Sequence, residues 1–299
     1  MTPPDVDVRV ADRRDPDALA RALGGTAWDL TVDLLAYDAD DVERLFAIPR
    51  FSPGRVALVS TGQVYLVAPD ARAPFRESDA ELPAMPEPEP GTRTHANWVY
   101  GMGKRRAERR LRELAAERSI SALALRIPTV QGEEDGAATG RLWAWLERML
   151  DGEPLVLPDG GTHWVRFVHS GDVARALVSL AERPEWPSMP ALNVTQPDDV
   201  TAREFLGLVA EAAGRAVEMV DVPGEVLGEL ADDLPYMGRW WSRPDGSAAT
   251  KALGLVTRAP REYLPDVVRA HLAARPPSHR SYANRAAELA LLRERSFRP

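Results

Sequence analysis

The sequence predicts an α/β fold built around a parallel sheet. Apolar runs without alternation, at residues 28–36, 55–60 and 121–127, read as strands buried on both faces. Helical patterns separate them, as in strand–helix–strand units. The 299 residues, 44% of them hydrophobic, suffice for one large domain or two small ones with a real core.

Taken in order, residues 6–10 read as a short strand. Pro16 opens a helix over 17–23, with proline in the first turn, and Gly24-Gly25 closes it. A strand at 28–36, a helix at 40–46 and a strand at 55–60 follow. Residues 68–95 are rich in proline and acid, including Pro86-Glu-Pro-Glu-Pro90, and read as an extended surface loop. A long helix over 105–118 leads into the strand at 121–127. After Gly132 the rhythm changes. Residues 141–150 form an amphipathic helix carrying Trp143 and Trp145, and 155–157 and 164–168 are short strands around a Gly160-Gly161 turn. A helix at 172–181 precedes the last sheet strand at 192–194. Thr201, with Glu204 three residues on, is a capping box opening a helix over 200–213. A strand at 217–222 and a charged helix at 281–295, behind Arg275-Pro-Pro, complete the chain. There is no internal repeat.

Composition excludes several classes. Net charge is −8, a poor match to nucleic acid. The local basic run, Lys104-Arg105-Arg106 with Arg109-Arg110, is interleaved with Glu108, Glu113 and Glu117 and reads as a solvated helix face. No stretch approaches the roughly 18 apolar residues of a membrane span. The N-terminal residues lack the features of a signal peptide, so a cytoplasmic location is expected. The chain has no cysteine, which removes disulfides, thiolate metal sites and a cysteine nucleophile. His163, Trp164 and His169 lack metal-ligand spacing, and His169 is read as structural. Trp240-Trp241, near Tyr236 and Met237, either line a pocket or pack in a core.

The chemistry concentrates at residues 98–108. The chain uses arginine almost everywhere, with lysine only at positions 104 and 251. Lys104 stands four residues after Tyr100, so on a helix the two share a face. A tyrosine has a pKa of about 10, and a nearby ammonium favours its phenolate. A phenolate closer to neutrality serves as acid or base on an alcohol or carbonyl.

Several segments, in this order, resemble the extended short-chain dehydrogenase/reductases of the NAD-dependent epimerase/dehydratase branch. They are Val59-Ser-Thr-Gly-Gln-Val-Tyr65, Tyr100-x-x-x-Lys104 with Glu108, Leu125-Arg-Ile-Pro-Thr-Val-Gln-Gly132 and Phe167-Val-His-Ser-Gly-Asp-Val-Ala174. The resemblance runs from about residue 8 to about residue 254. It implies a Rossmann-like doubly wound parallel sheet, N-terminally incomplete, with a smaller C-terminal α/β substrate lobe. The implied division is a cofactor domain at 1–135 and 166–198, a substrate lobe at 136–165 and 199–275, and a helical tail at 276–299. It further implies catalytic roles for Thr61, Tyr100 and Lys104. Tyr100 would exchange a proton with substrate, Thr61 would hydrogen-bond the same oxygen, and Lys104 would lower the tyrosine pKa and bind the nicotinamide ribose. NAD or NADP would be held by Asp12, Arg13, Ala36, Tyr100, Lys104 and Pro128, and substrate by Thr129 and Arg166. A homodimer through the helices at 40–46 and 105–118 is implied in the same way.

The sequence also departs from the family. No Gly-x-x-Gly-x-x-Gly follows a first strand; Gly24-Gly25 ends a helix and Gly101-x-Gly103 lies in the catalytic segment. Those glycines normally admit pyrophosphate to backbone amides at a helix start. Either the start has been lost or the protein is naturally short; a sheet lacking its first strand would expose strand edges, which favours a lost or misassigned start, or a chain that reshapes itself or dimerises to cover the gap. Thr129 stands where nucleotide-sugar epimerases usually carry Asn. Val165 occupies the place of their diphosphate-binding Arg, with Arg166 one residue later, which weakens the case for a UDP-sugar. The expected function is an NAD(P)-dependent epimerase, dehydratase or reductase acting on a sugar-like or small hydroxyl or carbonyl substrate. The alternatives are a degenerate binding relative and a cofactor-independent isomerase or lyase.

Overall fold

The computed structural model describes residues 5–134, 139–237 and 240–296. In chain order its elements are α1 (Pro16–Leu23), β1 (Leu30–Asp33), α2 (Ala39–Phe46), β2 (Arg55–Thr61), α3 (Gln63–Leu66), a 3-10 turn (Glu77–Glu81), α4 (Arg93–Glu117), β3 (Ala122–Ile127) and β4 (Thr129–Gln131). Then come α5 (Arg141–Leu150), β5 (Leu155–Pro158), β6 (Trp164–Val165), β7 (Phe167–His169), α6 (Ser170–Glu182), β8 (Ala191–Asn193), β9 (Val200–Thr201), α7 (Ala202–Ala212) and β10 (Met219–Val222). Among the later helices are α8 (Gly224–Leu227), α9 (Glu229–Asp233), α10 (Ser247–Leu253), α11 (Pro260–Ala274) and α12 (Arg285–Ser296). Among the described residues no helix is long and apolar enough to cross a membrane.

The chain forms two compact units. The first comprises Met1–Ala71, Glu77–Arg126 and Leu177–Asn193. Its sheet has the order β1-β2-β3-β8, with parallel pairing of β1 to β2 and of β3 to β8. Asp15 starts α1 by accepting from the amides of Asp17 and Ala18 ahead of Pro16. Asp38 and Asp41 form a capping box on α2. The core joins Val42, Leu45 and Phe46 of α2 to Val56 and Leu58 of β2 and to Ala107, Leu111 and Leu114 of α4. Each such large apolar side chain contributes about 1.5–3 kcal/mol on burial.

The expected strand at 6–10 does not form. Val6, Val8 and Val10 are exposed, and Arg9 donates to the carbonyl of Ala22 at the end of α1. A strand needs a ladder, and residues 6–10 join none among the described strands. β1 is also shorter than the apolar run at 28–36, and Leu34, Leu35 and Tyr37 beyond it are exposed. The long helix begins at residue 93 and not at 105, because the Thr92 hydroxyl caps it by accepting from the His95 amide at 3.1 Å.

The second unit comprises Arg72–Arg76, Ile127–Ala176 and Val194–Pro299. The sequence reading placed its domain breaks at 135/136, outside the described residues, and at 165/166 and 198/199. The core packs Trp145, Leu146, Phe167, Phe205, Tyr236 and Tyr263, with the Phe167 and Phe205 rings 4.2 Å apart. Tyr236 meets both rings edge-on, and Trp241 packs against the same core. The single strand expected at 164–168 is two. β6 runs antiparallel to β9, β7 runs parallel to β4, and Arg166 lies at the break. Thr201 and Glu204 form the predicted capping box on α7. In α12, Glu288 is buried against Arg148 of α5, with oxygen–nitrogen distances of 2.6 and 3.0 Å.

Candidate functional site

The site of interest in the first unit lies where α4 crosses the C-terminal end of β2. Two glycines let α4 come close to its neighbours there. A Cβ at Gly101 would stand 2.7 Å from Val67 Cγ1, and one at Gly103 would stand 2.4 Å from the Tyr37 carbonyl oxygen. Glycine costs a helix interior about 1 kcal/mol relative to alanine, and here it admits the close approach.

Lys104 is consequently only 2% exposed. Its ammonium donates to the Val59 carbonyl at 3.0 Å, two residues before Thr61 at the end of β2. It also lies 5.0 Å from the centre of the Tyr37 ring. Burial pulls its pKa from the ordinary 10.5 down to about 8, against the opposing fields of Asp33 and Glu108. Tyr100, one turn earlier on the same helix face, is half-buried, and its ring lies 6.1 Å from that of Tyr37. Thr61 is buried, and its hydroxyl accepts from the Gln63 amide at 3.2 Å. Lys104 and Tyr100 thus both border Tyr37, and Lys104 is fastened to the strand that ends in Thr61. A buried ammonium beside a phenol and a strand-end hydroxyl is an arrangement suited to moving a proton to or from a bound oxygen.

Of the other residues singled out in this unit, Arg13 is committed elsewhere. It makes two 3.0 Å bonds to the Asp33 carboxylate and a third, at 3.3 Å, to the Asp41 carbonyl. Burial works against its charge, but Asp33 and Asp41 more than offset this and raise its pKa. Asp12 is exposed, and its pKa is lowered by the hydrogen bond from the Arg14 amide. Ala36 is fully buried next to Tyr37.

Pro128, Thr129 and Arg166 belong to the second unit. Thr129 opens β4 opposite Phe167 of β7. Arg166 donates to Asp199 at 2.6 Å and to the Pro244 carbonyl at 2.7 Å. Arg243 holds the other oxygen of Asp199 at 2.6 Å. Burial opposes ionisation of Asp199, but the two guanidiniums prevail and its pKa falls. His169 is buried, and its Nδ1 accepts from the Gly171 amide at 3.0 Å with the Arg258 guanidinium beside it. Its Nε2 lies 3.3 Å from a carboxylate oxygen of Glu133. Among the described residues no group of three metal-ligating side chains occurs.

One constellation escaped the sequence. Glu108 accepts from Arg126 at 2.6 and 3.1 Å and from the Ser60 hydroxyl. Arg126 also donates to the Tyr65 hydroxyl at 3.1 Å and to the Glu77 carbonyl at 2.6 Å. Tyr65 donates in turn to Asn193 at 2.6 Å. This buried network ties β2, α3, α4, β3 and β8 together beneath Lys104. Burial pushes the Tyr65 phenol up to about 12, against the field of Arg126, so it stays a neutral donor. The Val-Tyr, Leu-Arg and Lys-x-x-x-Glu motifs were each legible, but only the fold reveals that Tyr65, Arg126 and Glu108 meet.

The profile of the NAD dependent epimerase/dehydratase family matches residues 8–194. UDP-D-apiose/UDP-D-xylose synthase 1 of Arabidopsis thaliana is 29% identical over 156 residues, which covers 46% of this chain and 40% of the plant protein. The chain thus spans less than half of that relative. Among solved structures, a GDP-L-fucose synthetase from Naegleria fowleri superposes with a TM-score of 0.70 at 14% identity, covering 92% of this chain and 86% of that one. RMD from Pseudomonas aeruginosa, complexed with NADPH, gives a TM-score of 0.63 at 19% identity, over 90% and 88%. At these identities the superpositions establish the Rossmann-like α/β fold.

Proposed function

The chain belongs to the NAD dependent epimerase/dehydratase family, and on that premise we propose that it acts on a nucleotide-sugar-like hydroxyl or carbonyl substrate with NAD(P), Tyr100 serving as acid and base. The observation that carries this reading is Lys104, fully buried, with its pKa brought down to about 8, one turn after Tyr100. A buried ammonium is costly, and its placement on the Tyr100 face supports a role in proton transfer.

Residues at the nicotinamide end fit the cofactor. Lys104 has three donors and spends one on Val59; the remaining two suit ribose hydroxyls and the Tyr100 oxygen. At the pyrophosphate end the described side chains are engaged elsewhere. The sequence has no glycine-rich turn between a first strand and helix, and the Arg13 guanidinium is held by Asp33 and Asp41. When bound, the nicotinamide supplies hydride exchange. The protein's part is positional. Thr61 holds the substrate oxygen, Tyr100 takes or returns its proton, and Lys104 favours the phenolate. The nucleotide-sugar class rests on the names of the relatives. Arg166, committed to Asp199, is proposed to order the substrate side and not to bind a diphosphate directly. A homodimer through α2 and α4 is part of the same reading.

The test is calorimetric titration of the chain with NAD(H) and NADP(H), followed by assay of Tyr100→Phe. Saturable binding is expected, and Tyr100→Phe should lose turnover by about 100-fold or more while still binding cofactor. Absence of binding at millimolar concentration would remove the NAD(P) reading and leave the binding relative. Full turnover by Tyr100→Phe would remove the assigned acid/base.

A further inference from the structure

Residues 104–110, read from the sequence as a solvated basic face, have a second side. Arg105, Arg109 and Arg112 recur at helical spacing on α4, rotated by about 100° from the Tyr100–Lys104–Glu108 face. They line a cavity of about 260 Å³, closed by the segment around Ala80, with five arginines in its wall. Three have carboxylate partners: Arg106 is paired with Asp38, Arg112 with Glu81 at 3.3 Å, and Arg126 with Glu108 at 2.6 Å. Arg105 and Arg109 have none.

Arg105 is half-buried. It spends Nε on the Val64 carbonyl and Nη1 on the Leu82 carbonyl, both at 2.8 Å, and its Nη2 is buried without a hydrogen-bond partner. Carbonyls satisfy its donors but not its charge. Burial, then repulsion from Arg126, lowers its pKa. Arg109 is exposed and has no hydrogen bond or ion pair among the described residues. Five arginines against two carboxylates, Glu81 and Glu108, leave the cavity wall with an excess of positive charge, which raises the local anion concentration. The cavity falls below the roughly 300 Å³ at which drug-sized pockets begin. Arginine pairs well with tetrahedral oxyanions, which accept the fork of N–H groups at more than one oxygen.

We infer that this cavity is a binding site for a compact tetrahedral oxyanion of the phosphate class, held by Arg105 and Arg109 and separate from the Tyr100–Lys104 face. It does not depend on the function proposed above. Free phosphate and the phosphate of an ester share this chemistry.

The experiment is titration of the intact chain with inorganic phosphate, sulfate and a small phosphate monoester, glycerol 3-phosphate, each against sodium chloride of matched ionic strength, followed by calorimetry and by amide shifts on α4. Saturable binding of phosphate and sulfate but not chloride is expected. Arg109→Ala, a change at an exposed and unbonded side chain that leaves the fold intact, should weaken it by about tenfold. Arg105→Gln, which keeps an amide donor to the carbonyls, should weaken it at least as much. Tighter binding of the monoester identifies an esterified ligand, and equal binding identifies the free ion. Identical responses to phosphate and chloride, or unchanged affinity in Arg109→Ala, would overturn the site. Since the titration uses no dinucleotide, failure here leaves the NAD(P) reading untouched, and failure of that reading leaves this site standing.

Discussion

At the scale of single residues, Lys104 makes a prediction with a definite sign. Its pKa is 10.5 when free and about 8 in the fold. Below pH 8 both states hold the proton, and the folded state bears the whole cost of burying the charge. Between pH 8 and 10.5 the folded protein gives up its proton while the unfolded chain keeps it, so stability rises with pH and the cost disappears. Lys104→Met should therefore raise stability at pH 7 by roughly 1–3 kcal/mol, the gain shrinking as pH climbs through that window. Urea unfolding of both proteins across pH 7 to 10 measures it. A gain that does not narrow with pH would mean that something other than the charge is responsible. On the proposed role of Lys104 the same variant should also lose turnover.

At the scale of elements, the Glu108–Arg126 pair holds α4 to β3. Glu108→Ala leaves a buried guanidinium with only the Tyr65 hydroxyl and a carbonyl, and should cost about 3–5 kcal/mol. The double variant Glu108→Leu, Arg126→Met removes both charges and should recover most of that loss; denaturant midpoints of the three proteins decide it. The sequence announced the parts of this arrangement unevenly. β2 and β3 were legible because an unbroken run of apolar residues has no other home. The Tyr100–Lys104 face was legible because i and i+4 spacing is local. The start of α4 was hidden because proline and acid upstream mask a single capping threonine. The contact of Glu108 with Arg126 was hidden because it joins a helix to a strand, and no local period relates residues on different elements. Residues 6–10 misled for the opposite reason: their alternating valines satisfy the local rule, yet a strand also requires a neighbour.

At the scale of the whole molecule, each unit has its own core. The C-terminal helix α12, charged enough in sequence to read as an appendage, is part of the second. Its Glu288 is buried with Arg148 and Arg285, and Leu291 and Leu292 pack on Val156, Val222 and Leu227. Ending the chain after Asn284 strands the Arg148 guanidinium in the core, a loss of several kcal/mol. Such a truncation should lose the near-ultraviolet circular dichroism of the tryptophans around Trp145 and become sensitive to protease; a native spectrum would show α12 to be dispensable. Among the described strands β1 is an edge of its sheet, flanked by exposed Leu34, Leu35 and Tyr37, and this has a different kind of consequence. A row of unsatisfied amides and carbonyls pairs readily with another such row. Meetings of two edges scale with the square of protein concentration, so self-association through this edge should grow as the protein is concentrated.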